Sequence, residues 1–132
     1  MSTSKSFSNE TSERYARALF ELANEGKELD KIESDSKEFL DLYYSSPEIK
    51  NFVTNPTQSI ENQFDTIKII SEKFNFSKNM KNFLFLLIQK RRVFFVSKIA
   101  QNFLKLCSLK RGEIKAILTS SKRLSQKELE EL

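Results

Sequence analysis

Histidine and tryptophan are missing altogether from this chain of 132 residues, while cysteine occurs once and glycine and proline twice each. Without histidine, most acid–base and metal chemistry loses its usual residue, and a zinc site or a redox pair needs more ligands than Cys107 alone supplies. Two glycines cannot build a phosphate-cradling loop or a dinucleotide-binding turn, both of which need several at fixed spacing. Long apolar runs are absent too. The longest, Phe83 to Ile88, has six residues, far short of the ~20 that span a bilayer. The polar start, Met1 to Asn9, carries neither a signal-peptide pattern nor a lipidation motif. The chain is therefore expected to stay where it is made and to reach a membrane only through a partner. No cofactor and no metal are expected, and Cys107 reads as a reduced core thiol.

What is present points to helices. Apolar residues make up 39% and charged residues 30%, the composition of one compact, helix-rich domain rather than a disordered chain. Charge is unevenly spread. Residues 1–66 hold 7 basic and 13 acidic side chains, net −6, and residues 67–132 hold 15 and 5, net +10. Such a dipolar chain suits a charged partner, or two halves that pack against each other.

Helical spacing recurs along the chain. From about Thr11 to Glu25, Ala16, Leu19, Phe20 and Ala23 form one stripe, Tyr15, Ala18 and Leu22 form a second beside it, and Gly26 is the expected left-handed stop. The two stripes cover more arc than a single core needs, so this helix is expected to have two neighbours. A second helix over about 27–44 carries Leu29, Ile32, Phe39, Leu40 and Tyr43, with Glu28, Glu33, Asp35 and Glu38 on its other face. Ser46 and Pro47 open a short third, which Asn55-Pro56 ends. Ile60, Phe64, Ile67, Ile70 and Phe74 mark a fourth over about 58–74. Ser77 caps a fifth, through Lys90, whose core stripe is Met80, Phe83, Leu84, Leu87 and Ile88, but Leu86 falls with Asn79 and Asn82 on the polar side and Phe85 also lies off the stripe. That helix is apolar nearly all round. Arg91-Arg92 then precedes a sixth, about 92–109, with Phe95, Ile99, Phe103 and Leu106.

After Gly112 the pattern changes. Ile114, Ala116 and Leu118 alternate, which predicts a strand over 113–119, and Ser125 with Glu128 reads as a capping box opening another helix. The expected fold is all-α, a six-helix bundle followed by a short strand and the start of a helix. Residues 1–10 are expected to be a flexible N-terminus, 11–111 the bundle, and 112–132 the opening of an incomplete second domain.

Three stretches in this order, ERYARALFELA, NFLFLLIQKRRV and KRGEIKAILTSSKRLSQKEL, resemble the delta subunit of bacterial F-type ATP synthases, whose mitochondrial counterpart is the oligomycin-sensitivity-conferring protein. The resemblance covers about 11–132. It implies a non-catalytic stator component that holds the catalytic head to the peripheral stalk and supports proton-driven ATP synthesis. It would lie on the cytoplasmic side of the bacterial inner membrane and touch the membrane only through the complex. The family's N-terminal bundle receives the amphipathic N-terminal helix of an alpha subunit between its first and fifth helices, which maps the groove onto Tyr15, Ala18, Leu22, Asn82 and Leu86. The b subunits of the stalk would bind the second domain. Arg14 and Arg17 flank the groove face, and Arg91-Arg92 matches the basic turn that closes the family's fifth helix.

One rival class uses the same features differently. A basic half and an all-helical chain also suit RNA-binding proteins of the NusB antitermination type, which have a comparable Arg-Ala-Leu first helix. The basic residues 90–92, 105, 110–111 and 122–123 are not interleaved with aromatics as in a recognised RNA-binding motif, and the acidic first half would repel a phosphate backbone. No nucleic-acid partner is therefore expected. Enzyme activity would rest on carboxylates or lysines alone, which here occupy ordinary outward positions.

Overall fold

The computed structural model describes residues 2–130, with side chains described for 9–113 and 116–119. Six α-helices follow one another: α1 (Ser2–Glu25), α2 (Leu29–Ser45), α3 (Pro47–Thr54), α4 (Ile60–Lys73), α5 (Lys78–Gln89) and α6 (Val96–Glu130), with a 3₁₀ turn at Val93–Phe95 before the last. α6 packs along α1 and α2, α4 pairs with α5, and α5 also touches α1 and α2. The core runs between them. Leu19, Ile32, Phe39, Ile67, Leu84, Leu87, Ile88, Ile99 and Phe103 are almost wholly withdrawn from water, each worth about 1.5–3 kcal/mol against leaving it exposed.

The starts of α3, α4 and α5 follow the sequence. Ser46, Ser59 and Ser77 each accept a hydrogen bond from the backbone N–H three residues on, at 3.4, 3.1 and 3.3 Å, and Pro47 occupies the first turn of α3. The helix ends do so only in part. α1, α4 and α5 close with the same paired bonds, Glu28 N–H to the Ala23 carbonyl, Phe76 to Ser71 and Arg92 to Leu87, which fold the last turn back on itself. The left-handed residue in each is not glycine but Lys27, Asn75 and Arg91, at φ 56°, 55° and 58°. Gly26, expected to take that conformation, has a negative φ and sits one residue before it. The turn requires the position after the cap, and the chain reaches it at Lys27.

Three further expectations change. α1 begins at Ser2 rather than near Thr11. The strand over 113–119 is not formed. α6 runs unbroken through Gly112 to Glu130, and Ser125 lies inside it rather than at a helix start; the Ser125 and Glu128 side chains lie outside the described residues. A lone strand leaves every backbone N–H and C=O without a partner, and no other strand is present among the described residues; a helix satisfies those groups within itself. Finally, Glu33 and Asp35, assigned to the outer face of α2, are buried with Ser36.

Candidate functional site

α1 touches α5, and each helix carries a leucine that stays partly exposed, Leu22 and Leu86. Ala16, Leu19 and Ala23 of α1 point into the core, and so do all five residues of the α5 stripe. At 100° per residue this rotates the second α1 stripe and the Asn82–Leu86 side of α5 outward. Tyr15 is half-buried, its ring edge-on to Phe83 with centroids 6.4 Å apart. Ala18 and Asn82 are exposed, and Leu22 and Leu86 are 39% and 40% exposed. All five predicted residues thus lie on two neighbouring helices. Phe85, the other residue off the stripe, turns away and packs edge-on against Phe64 of α4.

The placement of α5 against the rest of the bundle depends on polar contacts at its N-terminus. The Ser77 backbone N–H donates to Asp35 at 2.8 Å, and the Ser77 hydroxyl and the Asn79 amide donate to Glu28 at 3.3 and 3.0 Å. Lys31 pairs with Asp35 at 2.9 Å and donates to the Asn75 carbonyl at 2.8 Å. Two carboxylates thus meet the positive end of the α5 dipole, where negative charge is favoured. Asn79 is held there, which leaves Asn82 as the amide free to line the outer face. At the same end Gly26 lies close enough that a Cβ on it would stand 3.5 Å from the Asn79 amide nitrogen.

A second polar cluster fixes α6. Glu33 takes Arg111 at 2.7 Å and Lys37 at 3.3 Å, and Asp30 lies 3.7 Å from the same guanidinium. Burial pushes the Glu33 carboxyl up, but hydrogen bonds and charge from Arg111 and Lys37 outweigh it and hold it below its ordinary value. Cys107 lies beside this carboxylate. Burial, reinforced by the negative Glu33, pushes its thiol up to about 12, so it is neutral and poorly nucleophilic at physiological pH. Lys110, one turn along, reaches the Asn24 side chain and stands over the Phe20 ring. Arg14 and Arg17 are exposed on α1.

Neither cluster was legible as such. Asp35 does carry a signal, since it stands three residues after Ile32 and four before Phe39, in phase with the core stripe. Arg111 carries none, because its partner is 78 positions away and only the return of α6 along α2 brings them together. With Lys110 and Arg111 held by Asn24, Glu33 and Asp30, two of the basic residues that could suit RNA face the acidic half of the same chain. Among the described residues no group of three or more His, Cys, Asp and Glu is placed to hold a metal ion, and no helix is long and apolar enough to cross a membrane.

Residues 11–132 match the sequence model of a family described as the ATP synthase delta (OSCP) subunit. The ATP synthase subunit delta of Pelagibacter ubique is 42% identical over 129 residues, covering 98% of this chain and 70% of the relative. That of Rhizobium johnstonii is 38% identical over 120 residues, covering 91% and 64%, and that of Trichormus variabilis 34% over 125, covering 94% and 67%. The chain thus spans about two thirds of the length of these relatives. Among solved structures, a chain of the Toxoplasma gondii mitochondrial ATP synthase hexamer superposes with a TM-score of 0.67 at 26% identity, over 70% of this chain and 51% of that one.

Proposed function

The chain belongs to the ATP synthase delta (OSCP) subunit family, and from that premise we propose that its α1–α5 face clamps the amphipathic N-terminal helix of an alpha subunit. A subunit of this family is a structural part of the peripheral stalk and not a catalyst. The clamp would join the catalytic head to the stalk and so support proton-driven ATP synthesis, with the subunit on the cytoplasmic side of the bacterial inner membrane. On the same reading, 11–111 is the bundle that holds the head, and 112–132 leads toward the part of the family that meets the b subunits.

One observation carries the clamp: on the adjacent helices α1 and α5, Leu22 and Leu86 are each about two-fifths exposed, and Leu22 shares its stripe of α1 with the small Ala18 and the half-buried Tyr15. Small residues let a third helix approach, and leucines supply apolar area, which is the helix-in-groove mode. Each leucine has already lost most of its contact with water on folding, so covering the remainder adds about 1 kcal/mol apiece. The rest of the affinity would come from Tyr15, from Asn82 and from the partner's own apolar face.

Titration with a synthetic peptide of the cognate alpha N-terminal segment tests this. One-to-one saturation with gained helicity in far-UV dichroism and weak dependence on salt is the expected result. Leu86→Asp should abolish that binding while helical content and melting temperature stay nearly unchanged. A large loss of stability in this variant would make Leu86 a core residue, and an unbound peptide with wild-type protein would remove the clamp.

A further inference from the structure

Away from the α1–α5 face, the bundle holds a cleft of about 380 Å³ between the α3–α4 connection, α4 and the corner where α5 turns into the 3₁₀ segment. That volume lies in the range of small-molecule sites. Its walls are apolar, formed by Val53, Pro56, Val93 and Phe94, and Phe94 remains 48% exposed. None of the described residues lining it is acidic.

Polar groups also line the cleft. Asn55 accepts through Oδ1 from both the Thr57 N–H, at 3.0 Å, and the Thr57 hydroxyl, at 2.7 Å, which leaves its –NH2 unused. Thr54 donates its hydroxyl proton to the Lys50 carbonyl at 2.8 Å. Gln63 lines the cleft from α4 and is only 6% exposed. Arg91 lines the same cleft, and a guanidinium fork suits the two oxygens of a carboxylate.

We infer that this cleft binds a small amphiphilic carboxylate, its apolar body against Val53, Pro56, Val93 and Phe94 and its head accepting hydrogen bonds from Arg91 and Gln63. One guanidinium with two amides matches a monoanion; a phosphate dianion would call for more positive charge. The site is separate from the α1–α5 face, and its occupancy is independent of the clamp.

The test uses the 132-residue chain with octanoate, and with 1-octanol as the same apolar body lacking the charge, followed by calorimetry and amide chemical shifts. Octanoate should saturate at one equivalent, with shifts confined to residues 53–63 and 91–95, and 1-octanol should bind at least tenfold more weakly. Arg91→Asn, which tolerates the left-handed backbone, should weaken octanoate at least tenfold and leave 1-octanol unchanged. Gln63→Met should weaken octanoate several-fold. Equal affinity for the two probes, octanoate binding indifferent to Arg91→Asn, shifts located on α1 and α5, or no saturation would each overturn the assignment.

Discussion

At the scale of single residues, backbone conformation and burial make opposite demands on side chains whose identity alone is uninformative. Lys27 occupies a left-handed position at φ 56° immediately after Gly26, which does not need its freedom. Placing glycine there removes a Cβ clash, partly offset by the greater freedom of the unfolded chain, so Lys27→Gly is expected to stabilise the bundle by about 0.5–1 kcal/mol in denaturant unfolding. Cys107 is 1% exposed and its thiol is pushed up to about 12 by burial and by Glu33. A chromogenic disulfide reagent at pH 8 should therefore label it only at the rate of unfolding, and prompt labelling of the native protein would show that the thiol is accessible.

At the scale of elements, α6 is the informative helix. Up to Arg111 it is docked, with Phe103 and Cys107 in the core and Arg111 on Glu33. Beyond it the described side chains are exposed, Ile117 at 66% and Leu118 at 57%. Gly112 stands at this boundary, and a Cβ there would meet nothing within 4 Å. Gly112→Ala is expected to favour the helical form by about 0.8–1 kcal/mol. Because the segment past Arg111 contributes little to the core, the gain should appear as added far-UV helicity and slower amide exchange at 112–119 rather than as a large rise in melting temperature. Unchanged or reduced helicity would mean that the chain turns at Gly112. Of this element, the docked half was readable from the spacing of Phe95, Ile99, Phe103 and Leu106. Its continuation was not, because EIKAILT satisfies a period of two as well as it satisfies a helix, and only the lack of a pairing strand among the described residues decides between them.

At the scale of the whole molecule, the acidic and basic halves meet where α6 returns along α2. Arg111 and Lys37 hold the Glu33 carboxyl below its ordinary value against the opposing effect of burial. A depressed folded-state value means that this stabilisation is present above the unfolded-state value and is lost as pH falls through the folded one. Melting temperature should accordingly fall below about pH 4.5. In Arg111→Met the burial effect is less opposed and Glu33 takes up its proton at higher pH. The variant should melt below wild type at pH 7, and the gap should narrow as pH approaches 3.5. A gap of constant size at both pH values would mean that Arg111 acts through packing, not charge.

The sequence by itself determined α2 to α5, the docked part of α6, the Ser46 and Ser77 caps, the core stripe of α5 and the exposure of Ala18, Leu22, Asn82 and Leu86, because each depends on local periodicity or on a bond three residues long. It also carried the family, through stretches that lie in order along the chain. Only the tertiary structure decided the burial of Asp35 and Glu33, the Arg111 contact, and the gathering of Gln63, Asn55 and Arg91 around one cleft. Those groups are far apart in the chain, and an apolar stripe tells which way a helix faces without telling which polar residue of another helix will lie opposite it.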